Sequence, residues 1–204
     1  MRGPIFIISA CALAAPVAVS WAAAPTSARI QIVDARGMPV RDAVVELDPN
    51  AGWRGPIRFA WKPAMAQKNI AFIPGTLIVP KGASVAFPNL DTVRHSVYSF
   101  SKAARFEIDL YGRDQTRSQT FANSGTVALG CNIHDQMRGY VRVVDTPFAA
   151  KTDQNGMVQL TGLTPGAYQL TVWHPRARTP GGELKRSLAI GARGSQHKFE
   201  LALR

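Results

Sequence analysis

Three side chains that bind soft metals lie close together in Gly130-Cys131-Asn132-Ile133-His134-Asp135-Gln136-Met137. They are a thiolate, an imidazole and a thioether. A Cys and a His on one loop, a second His from elsewhere and a weak axial Met make up the donor set of a blue-copper site. The thiolate suits copper, the imidazoles hold it in either oxidation state, and a long thioether contact tunes its potential. Gly130 and Asn132 disfavour a helix across this run. It follows the strand-like Thr126-Val127-Ala128-Leu129 and precedes Tyr140-Val141-Arg142-Val143-Val144. The three donors are therefore expected on a loop joining two strands.

The second imidazole has to come from a neighbouring strand, and His95 is the candidate, in Phe87-Pro88-Asn89-Leu90-Asp91-Thr92-Val93-Arg94-His95. The text from Ile73-Pro74-Gly75-Thr76 through Pro80-Lys81-Gly82 to Phe87-Pro88-Asn89, then Asp91 and His95, then Cys131-x-x-His134-x-x-Met137, resembles the cupredoxins. The two-residue gaps on both sides of His134 are similar to the amicyanin-like members in particular. The longer context resembles cupredoxin-like proteins labelled methylamine utilisation proteins. The resemblance spans residues 68–146. It implies one type 1 copper held by His95, Cys131, His134 and Met137, with Asn89, Ser96 and Asn132 around the ligands. Members of this kind place Asn directly after the first His, where it ties the ligand loops together; here Ser96 stands there. Ser96 or Asn89 has to take over that hydrogen bond.

The flanking text reads differently. Val33-Asp34-x-x-Gly37-x-Pro39-Val40-x-x-Ala43-Val44-Val45 resembles the opening of carboxypeptidase-regulatory-like, or prealbumin-like, β-sandwich modules. The second half of such a module resumes after Thr146-Pro147. It shows Thr152-Asp153-x-x-Gly156 and then Pro165-Gly166-Ala167-Tyr168. Strands are expected over Arg29–Asp34, Val40–Leu47, Ile70–Phe72, Thr76–Val79, Ser84–Phe87, His95–Phe100, Phe106–Leu110, Ser118–Phe121, Leu184–Ile190 and His197–Leu203. Many short strands between regular turn signals indicate β-sandwiches, and no stretch carries helical periodicity. The expected fold is all-β. A cupredoxin-like Greek-key β-sandwich (66–146) is inserted in a smaller prealbumin-like β-sandwich (28–49 and 147–204), with residues 50–65 as a linker loop. Trp53, Phe59 and Trp61 in that loop are expected to pack on a domain surface while Arg54, Arg58 and Lys62 stay in water. Met65 is expected to be an apolar filler.

The first 22 residues read as a secretory signal. Arg2 is followed by an apolar run from Ile5 to Val19, too short and too proline-broken to span a membrane, and Ser20-Trp21-Ala22 offers a cleavage site. Lipoprotein processing at Cys11 is not expected, because the apolar run continues past it. The mature chain then holds one cysteine, Cys131, which cannot form an internal disulfide. A periplasmic location with no stable membrane insertion is expected. Lys and Arg number 24 against 13 acidic residues, giving a net charge of +11. Such a chain attracts acidic partners; export and the lack of a binding motif argue against nucleic acid. With four histidines in all and no catalytic triad, phosphate loop or carboxylate pair, an enzyme is not expected. The leading expectation is an electron carrier. Its partner would be an acidic redox protein, such as a c-type cytochrome or a dehydrogenase, docking at His134, Arg138 and Arg94. The alternatives are copper binding or delivery without redox turnover, and a metal-free interaction module.

Overall fold

The computed structural model describes residues 25–204; the signal expected over 1–22, with Cys11, lies outside them. The regular structure of the described residues is all strand apart from one 3-10 turn at Pro180–Gly182. No helix among the described residues is long and apolar enough to cross a membrane.

One pair of sheets is built from the middle of the chain. Its five-stranded sheet runs β5 (Thr76–Pro80), β11 (Arg138–Val144), β10 (Gly125–Gly130), β7 (His95–Ser101) and β8 (Ala104–Tyr111). β5 and β11 are parallel; the remaining pairs are antiparallel. Opposite lie β6 (Ser84–Pro88) paired with β9 (Thr116–Thr120), and the short pair β3 (Ala66–Gln67) and β4 (Phe72–Ile73). Alternate residues point inward, as a period of two requires. Leu77, Val79, Val97, Val127, Leu129, Val141 and Val143 thus meet Val85, Phe87 and Phe121 in one core. Cys131, Met137 and Met65 belong to the same core.

The flanking segments build a second pair. β1 (Thr26–Val33) lies between β13 (Met157–Leu163) and β16 (Ser195–Glu200). β2 (Val44–Pro49) lies between β12 (Ala149–Lys151) and β14 (Gly166–Trp173), with β15 (Glu183–Ile190) beyond. Ile30, Ile32, Val45, Leu47, Leu160, Leu170 and Val172 fill the space between these sheets. Among the described residues β1 and β2 pair only with strands from 149–200.

The two sandwiches share a buried layer. β2 and β11 are largely buried on both faces, as strands covered on both sides are. Val45 and Leu47 face their own core while Val44 faces the other way. Val141 and Val143 face theirs while Val144 faces outward, half-buried Tyr140 beside it. Val44, Ile78, Val144, Ala149 and Trp173 form a third cluster between the sheets, with Tyr140 edge-on to Trp173 at 5.2 Å. Within this layer Arg142 is buried and ion-paired to Glu46 and Glu183, and it donates to Thr126 Oγ1 at 2.8 Å.

Several strand bounds differ from the sequence expectation. β2 begins at Val44, not Val40, because Asp42 turns the chain through φ 59° and Thr152 binds both Val40 O and Ala43 N. Ile70 is not in a strand: it has φ 55°, directly after Asn69 at the same φ. The last strand ends at Glu200, and Leu203 makes only an isolated bridge to Ala177. In the linker, Trp53 sits edge-on to Phe148, Phe59 stacks on Trp61, and Trp61 Nε1 donates to Ile78 O.

Candidate metal centre

His95 opens β7. The pairing of β7 with β8 slips between His95 and Val97. A slip of this kind re-aims side chains next to it, and here His95, Ser96 and Val97 are all buried in succession. Cys131 follows the end of β10, whose last residue, Gly130, lies under the Tyr98 ring. A Cβ on Gly130 would stand 2.5 Å from Tyr98 Cζ, so only glycine allows this approach. His134 lies in the turn that follows, closed by Met137 N–H donating to His134 O at 2.9 Å.

These elements bring three donors together. Cys131 Sγ lies 3.9 Å from His95 Nδ1 and 3.8 Å from His134 Nδ1. The ring centroids of the two histidines are 4.9 Å apart. One ligand atom from each of His95, Cys131 and His134 falls within 4.8 Å of the others, the one such group found among the described residues. His95 is 0% exposed, Cys131 3%, and His134 is half-buried. Met137 is buried in the same core and lines the same groove as Cys131. His174 and His197 belong to the second sandwich, where burial lowers both pKa values.

The donor set can be tested for fit. With metal–sulfur and metal–nitrogen bonds of roughly 2.3 and 2.05 Å, a sulfur and a nitrogen stand about 3.8 Å apart around a trigonal ion and about 3.6 Å around a tetrahedral one. The observed sulfur–nitrogen separations fit one ion shared by Cys131 and the two histidines. A soft thiolate with two imidazoles is a donor set that suits copper.

Ser96 joins the two ligand segments. Its Oγ accepts the Asn132 N–H at 2.9 Å and donates to Cys131 Sγ at 3.7 Å. Ser96 thus does the work expected of an Asn at this position. Asn132 contributes through its backbone, while its side chain turns away to Glu107 Oε1 at 2.8 Å. Asn89 has no hydrogen bond to a ligand. Its Nδ2 donates to Val93 O and Tyr111 O, and its Oδ1 accepts the Asp91 N–H, which braces the loop before His95.

Asp91 is the residue that sequence reasoning missed. Its Oδ2 lies 2.7 Å from His95 Nε2, on the far side of the ring from Cys131. Desolvation works against the charged form of Asp91. N–H donation from Ile70, His95 and Asn69 outweighs it and holds the carboxyl below the usual range. The signal was the four-residue spacing from His95, masked because Asn89-Leu90-Asp91 also reads as an ordinary turn.

The surface over the centre is mixed. Ile133 is 50% exposed beside His134. A groove of about 590 Å³ opens beside Cys131, lined in part by Tyr98, Phe100, Asp135, Arg138 and Tyr140. Arg94, outside the groove's lining, donates to Leu110 O at 3.0 Å on the exposed surface.

No protein-family model matches the chain, and no curated protein matches it. Solved structures similar to it include an oxidised point mutant of amicyanin. That match has 25% identity and a TM-score of 0.38, over 40% of this chain and 80% of that one. A purple cupredoxin from Nitrosopumilus maritimus matches at 20% identity and TM-score 0.37, over 40% of this chain and 98% of the other. A reduced Cu(I) amicyanin mutant matches at 21% and 0.38, over 50% and 99%.

Proposed function

We propose that the chain is an exported mononuclear type 1 copper protein that carries single electrons between redox partners. The observation that carries this reading is the convergence of His95 Nδ1, Cys131 Sγ and His134 Nδ1 at 3.8–3.9 Å around the sulfur. His95, Cys131 and His134 would hold the ion, with Met137 as a further, weaker donor. Copper bound there would take up and release one electron by cycling between its cupric and cuprous forms.

The chain's own residues prepare that cycle. Ser96 fixes the sulfur by donating to it and pins the Cys131 loop through the Asn132 N–H. Burial of His95 and Cys131 keeps water from the donors and favours retention of the metal over hand-over to another protein. That is why electron transfer is preferred to copper delivery. Half-buried His134, with Ile133 exposed beside it, offers the shortest path to the surface. Arg94 and Arg138 add positive charge around that path. An acidic c-type cytochrome or a dehydrogenase would suit this face, and the chain's positive net charge would attract it.

The test is copper stoichiometry with redox cycling. One copper per chain, reduced and reoxidised reversibly, should exchange electrons faster with acidic than with basic cytochromes. The rate should fall as salt rises through the range where the Debye length is about 10 Å or less. Copper that binds but does not cycle would favour the delivery reading instead.

A further inference from the structure

We propose that Asp91 is a positioning residue that holds the His95 proton at Nε2 and biases the copper centre toward its cupric state. This rests on the ligand set proposed above. The His95 ring presents Nδ1 to Cys131 Sγ at 3.9 Å and Nε2 to Asp91 Oδ2 at 2.7 Å. An imidazole that binds metal through one nitrogen keeps its proton on the other. A carboxylate accepting that proton orients the ring and makes it a stronger donor. The ring is wholly buried, where a neighbouring charge is felt more strongly than in water.

The protein maintains that charge from the other side. Asp91 Oδ1 accepts the Asn69 N–H at 2.6 Å, and Oδ2 accepts the Ile70 N–H at 2.9 Å. Two successive N–H groups aimed at one anion form a backbone concavity that favours negative charge. Their aim is bought with strain: Asn69 and Ile70 both have φ 55°, which is unusual for any side chain and an outlier for a β-branched one. Asn89 Oδ1 secures the Asp91 N–H at 2.9 Å, so the carboxylate is fixed from its own backbone as well. The carboxylate offsets positive charge at the centre, and the doubly charged ion gains more from that than the singly charged one.

The experiment compares wild type with Asp91→Asn, which keeps an oxygen acceptor and removes the charge. Cu(II) and Cu(I) affinities and the reduction potential are measured on both. Cu(II) affinity should fall about 10–100-fold and Cu(I) affinity by less. Each tenfold difference between the two raises the potential by about 59 mV. Ile70→Gly, which keeps both N–H donors and removes the strained side chain, should retain the wild-type potential. Nitrogen-15 NMR of the wild-type Cu(I) protein should show a proton bonded to His95 Nε2. That measurement stands even if Asp91→Asn fails to fold. A coloured Asp91→Asn protein with unchanged potential, or a His95 ring without a proton at Nε2, would overturn the role of Asp91. A colourless copper-loaded wild type would overturn the ligand set instead.

Discussion

Arg142 is the cation on which the join between the two sandwiches depends. It is 5% exposed, faces Glu46 at 4% exposure, and also binds Glu183 and Thr126. Replacing it by Leu leaves the buried Glu46 carboxylate with no counter-charge, while Glu183 keeps Lys185 at 3.0 Å. Removing one partner of a buried ion pair costs about 3–5 kcal/mol. For a chain of this length that is a fall in Tm of about 6–20 °C. The loss should depend on pH. Burial outweighs the attraction of Arg142, whose charge is shared with Glu183, and pushes the Glu46 carboxyl up to about 7. A carboxylate left without Arg142 can escape its penalty by taking a proton, and it does so most easily in acid. Arg142→Leu should therefore cost the full amount near pH 8 and less near pH 5. Denaturant unfolding at the two pH values reads this directly. The double variant Arg142→Leu/Glu46→Leu should recover much of the loss, since an apolar replacement of a buried pair is often neutral. A loss below about 1 kcal/mol at pH 8, or a double variant no more stable than Arg142→Leu, would refute the assignment of a buried triad.

The same acid gives a pH prediction in the wild type. Its folded pKa is raised above the ordinary 4.5, so the folded state binds the extra proton, and this contribution to stability is lost as pH rises from about 4.5 through about 7. Glu46→Gln should flatten that part of a stability–pH profile. Ser96→Ala removes the hydroxyl joining Asn132 N–H to Cys131 Sγ; it should cost about 1–2 kcal/mol in denaturant unfolding and shift the potential of the copper protein. Gly130→Ala drives a methyl into the Tyr98 ring; it should cost about 1–3 kcal/mol, measured the same way.

The ligand loop was legible because its chemistry is local. Cys131, His134 and Met137 sit in one short run between two strands, and only the strand pairing was needed to place them. His95 was legible as the imidazole after an Asn-x-Asp turn, but the slip that buries both His95 and Ser96 leaves no mark in the residues. The sequence leaves Ser96 and Asn89 both open as substitutes for the missing Asn; the Ser96 hydroxyl joins the Asn132 N–H to Cys131 Sγ, whereas Asn89 braces the loop before His95. Asp91 carries no mark of its role, because that role depends on N–H groups at Asn69 and Ile70, 22 and 21 residues away. Ile70 itself looked like a strand residue, being β-branched and next to Phe72; the carboxylate it binds overrides that preference. The alternation of Ile30 and Ile32 in β1 marks its inward face; in β8 it holds for Phe106 and Ile108 and fails at Leu110, which is exposed while Tyr111 is buried. It said nothing about β2 and β11, where both faces are covered and the Glu46–Arg142 pair links positions 96 residues apart. The likeness of the flanking segments to prealbumin-like modules is carried by sequence alone.

The most direct test of the copper centre is the visible spectrum of the Cu(II)-loaded protein beside that of Cys131→Ser. A thiolate bound to copper in a trigonal set with two imidazoles gives intense charge-transfer colour. The expected result is a blue wild type with one copper per chain, a colourless Cys131→Ser, and a Met137→Leu variant that keeps its colour at a higher potential. A wild-type protein that holds copper without that colour, or a Cys131→Ser protein that keeps it, would contradict the central claim.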